Sequence, residues 1–179
     1  MTVKLKRVVT TINGEGKSIF VDDASVMSTV TGGMKIHNIW GTSDGIPQVG
    51  RGIEAEAVPF PFFPGPGGHR VVLAEFTPEM RGTSGKVEAK TIQSNEAEEE
   101  KSQPGLLGVF EEENPGFHTT DTIDYAICIE GEVWLVLDDQ ERLITPGTVV
   151  IQRGTRHAWQ NRSDHCCVML FVLLGAERA

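Results

Sequence analysis

Past Asp121 the chain reads as one short β-prone run after another, and this limits its fold more than any other feature. The runs lie at 125–129, 133–138, 140–144, 148–152, 157–160 and 166–173. Turn formers stand between them: Gly131-Glu132, Asp138-Asp139, Pro146-Gly147, Arg153-Gly154 and the stretch 161–164. Short strands so closely spaced predict an all-β sandwich or jelly-roll barrel. There is no internal repeat. A length of 179 residues fits one domain with a sizeable core.

The earlier part of the chain is less regular. Runs at 8–12 and 18–21 flank Asn13-Gly14-Glu15-Gly16 and predict a hairpin. Gly16-Lys17-Ser18 has the ending of a phosphate-binding loop, but Thr11 stands where the first glycine is needed and no helix pattern follows, so no nucleotide cofactor is expected. Residues 22–58 are mixed in pattern. The stretch Pro59-Phe60-Pro61-Phe62-Phe63-Pro64-Gly65-Pro66-Gly67-Gly68 excludes helix or central strand; its aromatics are expected to clamp it on the domain surface. Residues 70–76 read as a strand. The polar segment 82–105, with Glu96-Ala-Glu-Glu-Glu100, and then Glu111-Glu112-Glu113, read as a solvated acidic face. The layout expected is a single domain over 1–179, with an N-terminal hairpin and loop extension at 1–69 and a barrel core at 70–179.

A formal charge of −9 argues against nucleic acid as a partner, because displacing counterions from phosphates needs a basic face. No apolar run is long enough to span a bilayer, and no hydrophobic signal region follows the basic N-terminus, so a cytoplasmic protein is expected. The three cysteines, Cys128, Cys166 and Cys167, are odd in number and fall in apolar runs, which fits free buried thiols.

Two glycine-punctuated segments, at 116–131 and 147–161, hold the residues that carry chemistry. His118, Asp124 and His157 together would form a facial divalent-metal site with open positions for a substrate. Residues two apart on a strand share a face, so His118, Thr120, Thr122 and Asp124 all point inward if the strand runs unbroken. Asp121 is then a reserve ligand only. Trp159 shares the face of His157, and Ala126 and Cys128 continue the face of Asp124. Arg153 and Arg156 lie on the turn into His157, within reach of a substrate anion. His37, His69 and His165 have no partner pattern.

These segments resemble the paired motifs of the cupin superfamily. His118, Thr120, Asp124 and Gly131 occupy the places of the first motif's His, His, Glu and Gly. Gly147, the turn Arg153-Gly154-Thr155, His157 and Asn161 occupy those of the second. Thr120 replaces a ligand histidine and Asp124 a glutamate, and the second turn lacks its proline. The resemblance covers roughly 115–175. It implies a cupin-type double-stranded β-helix, or jelly-roll barrel, with the 70–76 strand and the N-terminal hairpin supplying further strands. The wording of the motifs is similar to that of small single-domain cupins (cupin-2-like barrels), some of which accompany secondary-metabolite pathways.

Three functions stay open. The first is a lyase or isomerase on a carbonyl-containing, aromatic or polyketide-like metabolite. His118, Asp124 and His157 would be both metal ligands and catalytic residues, and Thr120, Cys128, Arg156 and Trp159 would line the substrate. The metal would be Fe, Zn, Mn or Ni, stabilising an enolate as a Lewis acid. The second is an Fe(II)-dependent dioxygenase at the same site. The third is a non-catalytic metabolite-binding module. Without a metal, the two histidines would instead act as proton donor and acceptor, with Asp124 setting the tautomer. The partners expected are a small molecule and a second copy of the chain, with no membrane.

Overall fold

The run Thr122–Glu130 shows most directly how the sequence builds the fold. Thr122, Asp124, Ala126 and Cys128 are buried, whereas Ile123, Tyr125 and Ile129 are exposed. This is the period-two alternation of a strand with one face on a core. In a computed structural model, which describes residues 5–22, 26–31, 34–50, 61–78 and 100–179, this strand is β6. Much of the polar segment 82–105, including Glu96 to Glu99, lies outside the described residues, as do Pro59 and Phe60.

Before β6 come β1 (Val8–Ile12), β2 (Ser18–Asp22), β3 (Met27–Thr31), β4 (Met34–Thr42) and β5 (His69–Phe76). After it come β7 (Val133–Val136), β8 (Glu141–Ile144), β9 (Val149–Arg153), β10 (Ala158–Gln160) and β11 (Cys167–Gly175). A six-stranded sheet has the order β3-β4-β5-β11-β6-β9, and a three-stranded sheet the order β10-β7-β8. Every pairing is antiparallel. Because sequence neighbours such as β6 and β7 fall in different sheets, the chain repeatedly crosses between layers, as in a jelly roll. One core joins the layers: Ala74, Phe76, Ala126, Cys128, Cys167 and Met169 from the larger sheet pack with Val133, Leu135, Ile144 and Trp159 from the smaller.

The N-terminal hairpin forms as expected, β1 on β2, but it is a sheet of its own. The expectation that it would supply barrel strands is therefore corrected. That place is taken by β3 and β4, in the stretch of mixed pattern at 22–58. β4 conceals its strand character because it carries Lys35, His37 and Asn38, and both His37 and Asn38 are buried by hydrogen bonding rather than by apolarity. Among the described residues, no helix is long and apolar enough to cross a membrane.

Two features fix the barrel's corners. Gly131, in the turn from β6 to β7, has φ +73°, and a Cβ there would run into the carbonyl oxygen of Cys166. Only glycine suits both demands. Arg70, 1% exposed, donates from Nη1 to the carbonyls of Thr42 (2.6 Å) and His69 (2.9 Å). Its Nε and Nη2 both donate to the carbonyl of Pro61, at 3.2 and 2.8 Å. The proline-rich stretch is thus held by a buried guanidinium as well as by Phe62, which packs with Ile36, Val72, Leu106 and Leu173.

Candidate functional site

His118 and His157 face each other across an isolated antiparallel bridge, outside the named strands. The link is made by main chain: His118 N donates to His157 O at 2.9 Å, and His157 N to His118 O at 3.0 Å. Their ring centroids are 4.2 Å apart. Each ring is also tied at Nδ1, His118 to the carbonyl of Gly116 (3.1 Å) and His157 to that of Thr155 (2.9 Å). A carbonyl only accepts, so each Nδ1 carries the proton and each Nε2 presents a lone pair. Burial lowers the pKa of both histidines. That of His157 falls to about 4, with the nearby His118 adding to the effect. The pair is thus neutral at physiological pH.

A line of rings runs from this pair into the barrel. Phe110, bridged to His118, lies 4.8 Å from its ring. Trp159 stands edge-on to His157 at 6.0 Å and to Phe171 at 5.7 Å. The expectation for Trp159 on the face of His157 agrees with this placement. Phe110 carries no signal of this role in the sequence: it lies eight residues before His118, outside either motif, and only the fold brings it there.

Asp124 is buried in β6, opposite Leu173 and Gln152. Its Oδ1 has no hydrogen-bond partner among the described residues. Burial pushes its pKa up to about 6, against a smaller lowering by the Thr122 hydroxyl. The unbroken strand from His118 to Asp124 does not form. The chain bends at Asp121, and β6 begins only at Thr122. Among the described residues, no three His, Cys, Asp or Glu side chains converge as ligands of one ion. The in-and-out alternation nonetheless carries on through the bend, with Thr120, Thr122 and Asp124 buried and Thr119, Asp121 and Ile123 exposed. Asp121 itself turns outward and accepts from Arg178 Nε at 2.6 Å.

The other expected lining residues are engaged structurally. Thr120 is buried and bonded to Thr122, hydroxyl to hydroxyl, at 2.8 Å. Cys128 belongs to the core, and burial raises its thiol pKa. Arg156 is held by Glu111 (2.6 and 2.7 Å) and Asp138 (2.5 Å), with its guanidinium 4.1 Å over the Phe117 ring. The first of the three glutamates read as a solvated run is therefore an arginine partner. Asn161 holds the end of the barrel together: its amide donates to the carbonyls of Phe76 and His165, and its Oδ1 accepts from Ser163 N and Oγ.

In metal-free protein, Asp124 and His157 oppose each other in their pH dependence. Asp124, with its pKa raised from 3.8 to about 6, favours the fold below the lower value, and this is lost as pH rises through the upper. His157, lowered from 6.5 to about 4, favours the fold above the upper value, and this is lost as pH falls through the lower. Each effect is on the order of 3 kcal/mol. Asp124→Asn should therefore unfold at higher urea than the wild type at pH 7, with the advantage shrinking towards pH 4. An advantage independent of pH would refute this account of Asp124.

No protein-family model matches the chain. Phomopsin biosynthesis cluster protein D of Diaporthe leptostromiformis is 47% identical over 62 residues, 34% of this chain and 33% of that protein. The cupin-domain-containing oxidoreductase fogC of Aspergillus ruber is 41% identical over 64 residues, 34% of this chain and 32% of that protein. The match thus spans about a third of the length of these curated relatives. Among solved structures, a cupin 2 conserved barrel domain protein from Salinispora arenicola covers 66% of this chain and 71% of its own at 19% identity and TM-score 0.39. The cupin domain of Schizosaccharomyces pombe Cnp3 covers 97% and 89% at 8% identity and TM-score 0.49. Its two-layer antiparallel barrel has the cupin-type jelly-roll fold, and over about a third of its length its sequence is similar to fungal cupin-domain proteins.

Proposed function

We propose that this chain is a tailoring enzyme acting on a small carbonyl-containing metabolite, with a divalent metal held by His118 and His157. The observation that carries the reading is the histidine pair: two neutral imidazoles, each with Nδ1 fixed by a backbone carbonyl, leave both Nε2 lone pairs to a cation. Metal-ligating histidines are oriented by just such a bond at the other ring nitrogen. Asp124 supplies the acid-base carboxylate rather than a third ligand. Its buried, unpartnered Oδ1 suits a nearby positive charge, although it does not join the histidines in one cluster as they stand.

Such a metal acts as a Lewis acid towards a carbonyl oxygen. The chain's own residues then do the rest. Trp159 and Phe110 provide apolar walls that exclude water from an aromatic or polyketide-like ligand. Asp124, poised near pH 6, moves a proton at the carbon next to that carbonyl, which suits isomerisation, elimination or decarboxylation. The second reading is Fe(II)-dependent oxygen chemistry at the same pair, favoured by the oxidoreductase names of the relatives from Aspergillus ruber and Hypocrea virens.

Elemental analysis of the purified protein tests both. Zinc, manganese or nickel near one per chain supports the Lewis-acid reading, and iron with substrate-dependent oxygen uptake supports the second. No bound metal after supplementation overturns both. We also propose a homodimer through the outer face of β6 and β9, where Tyr125, Ile129, Val149 and Ile151 are exposed on and beside the strand that ends the sheet. Light scattering should give twice the chain mass, and Tyr125→Glu with Ile151→Lys should halve it. A monomeric wild type would refute the dimer.

A further inference from the structure

A second group of reactive side chains lies on β3, β4 and β5, apart from the histidine pair. Ser28 is exposed on β3, which ends the six-stranded sheet. It stands directly opposite His37 of β4, and its Oγ is 2.8 Å from His37 Nδ1. On the far side of the ring, His37 Nε2 is 2.7 Å from Glu75 Oε1 of β5. His37 and Glu75 are 3% and 6% exposed. Lys35 Nζ lies 3.6 Å from the same carboxylate oxygen and offsets its buried charge. A chain of hydrogen bonds therefore runs from a surface hydroxyl, through a buried imidazole, to a buried carboxylate.

We propose that Ser28, His37 and Glu75 form a nucleophilic site for carboxylic esters. A triad is recognised by geometry and roles, not by fold or sequence order. Glu75 accepts from Nε2–H and so fixes the tautomer in which Nδ1 accepts the Ser28 proton. Ser28 Oγ attacks the ester carbonyl, and its proton passes to His37 Nδ1. The C–O bond to the alcohol breaks, and the same proton goes to the departing alkoxide, leaving an acyl ester on Ser28. Water, giving its proton to His37, then releases the acid and restores the serine. No oxidant, metal or cofactor enters the balance. Among the described residues β3 ends its sheet, and the backbone N–H groups that such an edge leaves unpaired would serve as oxyanion donors. Ser28 and His37 are the catalytic residues, and Glu75 is a positioning residue.

The test uses the full chain with p-nitrophenyl acetate and a fluorophosphonate probe, before and after chelator treatment. The expected results are a burst of p-nitrophenol, a fluorophosphonate adduct located on Ser28 by peptide mass spectrometry, and insensitivity to chelator. Ser28→Ala, a change at an exposed position, should abolish both adduct and burst. Glu75→Gln should lower kcat about a hundredfold with KM unchanged, within the range for general-base catalysis. His118→Ala should leave the labelling intact, which separates this site from the metal pair. No adduct in wild type, or an adduct that persists in Ser28→Ala, overturns the proposal.

Discussion

His118→Ala and His157→Ala should each abolish turnover by roughly a thousandfold or more, about 4 kcal/mol of transition-state stabilisation, while the protein stays folded. The reason lies in how the pair is joined. The bridge between the two residues consists of N–H to carbonyl bonds, which an alanine still makes. What disappears is one Nε2 lone pair. A divalent ion held by two imidazoles loses most of its affinity with either, so bound metal should fall together with activity. The double variant should be no worse than either single one, because residues acting as a unit are non-additive. The measurement is metal content, activity and far-ultraviolet circular dichroism on the same samples. Full activity in either folded variant would remove the histidine pair from the mechanism.

Replacing Arg70 with alanine should cost more than about 3 kcal/mol of stability. Its guanidinium is buried and satisfies three carbonyl oxygens, those of Thr42, His69 and Pro61. Without it, those carbonyls lose a charged donor in a place water reaches poorly, at about 1–3 kcal/mol for each left unmet, and a cavity opens besides. Arg70→Lys should recover little, since one ammonium cannot span both Pro61 and Thr42 as the planar fork does. Urea denaturation followed by tryptophan fluorescence would measure this. A loss below about 1 kcal/mol would show that the proline-rich stretch is held by its phenylalanines and its main-chain bonds, such as Phe62 N to Pro104 O, without need of Arg70.

The barrel's C-terminal half was legible because its strands are short, alternating and bounded by turn formers. β6 to β11 fall within a few residues of the runs read from sequence. In the N-terminal half the hairpin and β5 were legible too, but β3 and β4 were not, for a definite reason: β4 buries His37 and Asn38, whose partners Ser28, Glu75 and Gln103 lie 9, 38 and 65 residues away in the chain. A polar residue that is buried because a distant one meets it looks, in sequence, like a loop residue. The same limit applied to the site. His118, His157 and Trp159 come together as their motif places suggested. Among the described residues Asp124 does not join them in one cluster of ligands, although strand alternation holds from Thr120 to Asp124. Arg156 was read as free for a substrate because its partners, Glu111 and Asp138, are contributed by other segments.

The main-chain link between His118 and His157 also bears on how such a barrel changes over generations. Positions 118 and 157 are held in register by groups that every residue except proline possesses. Their side chains can be exchanged without dismantling the frame that aims them. The frame and the reagents it presents are thus separable: a new side chain at 118 or 157 would meet the same main-chain bonds and the same aim.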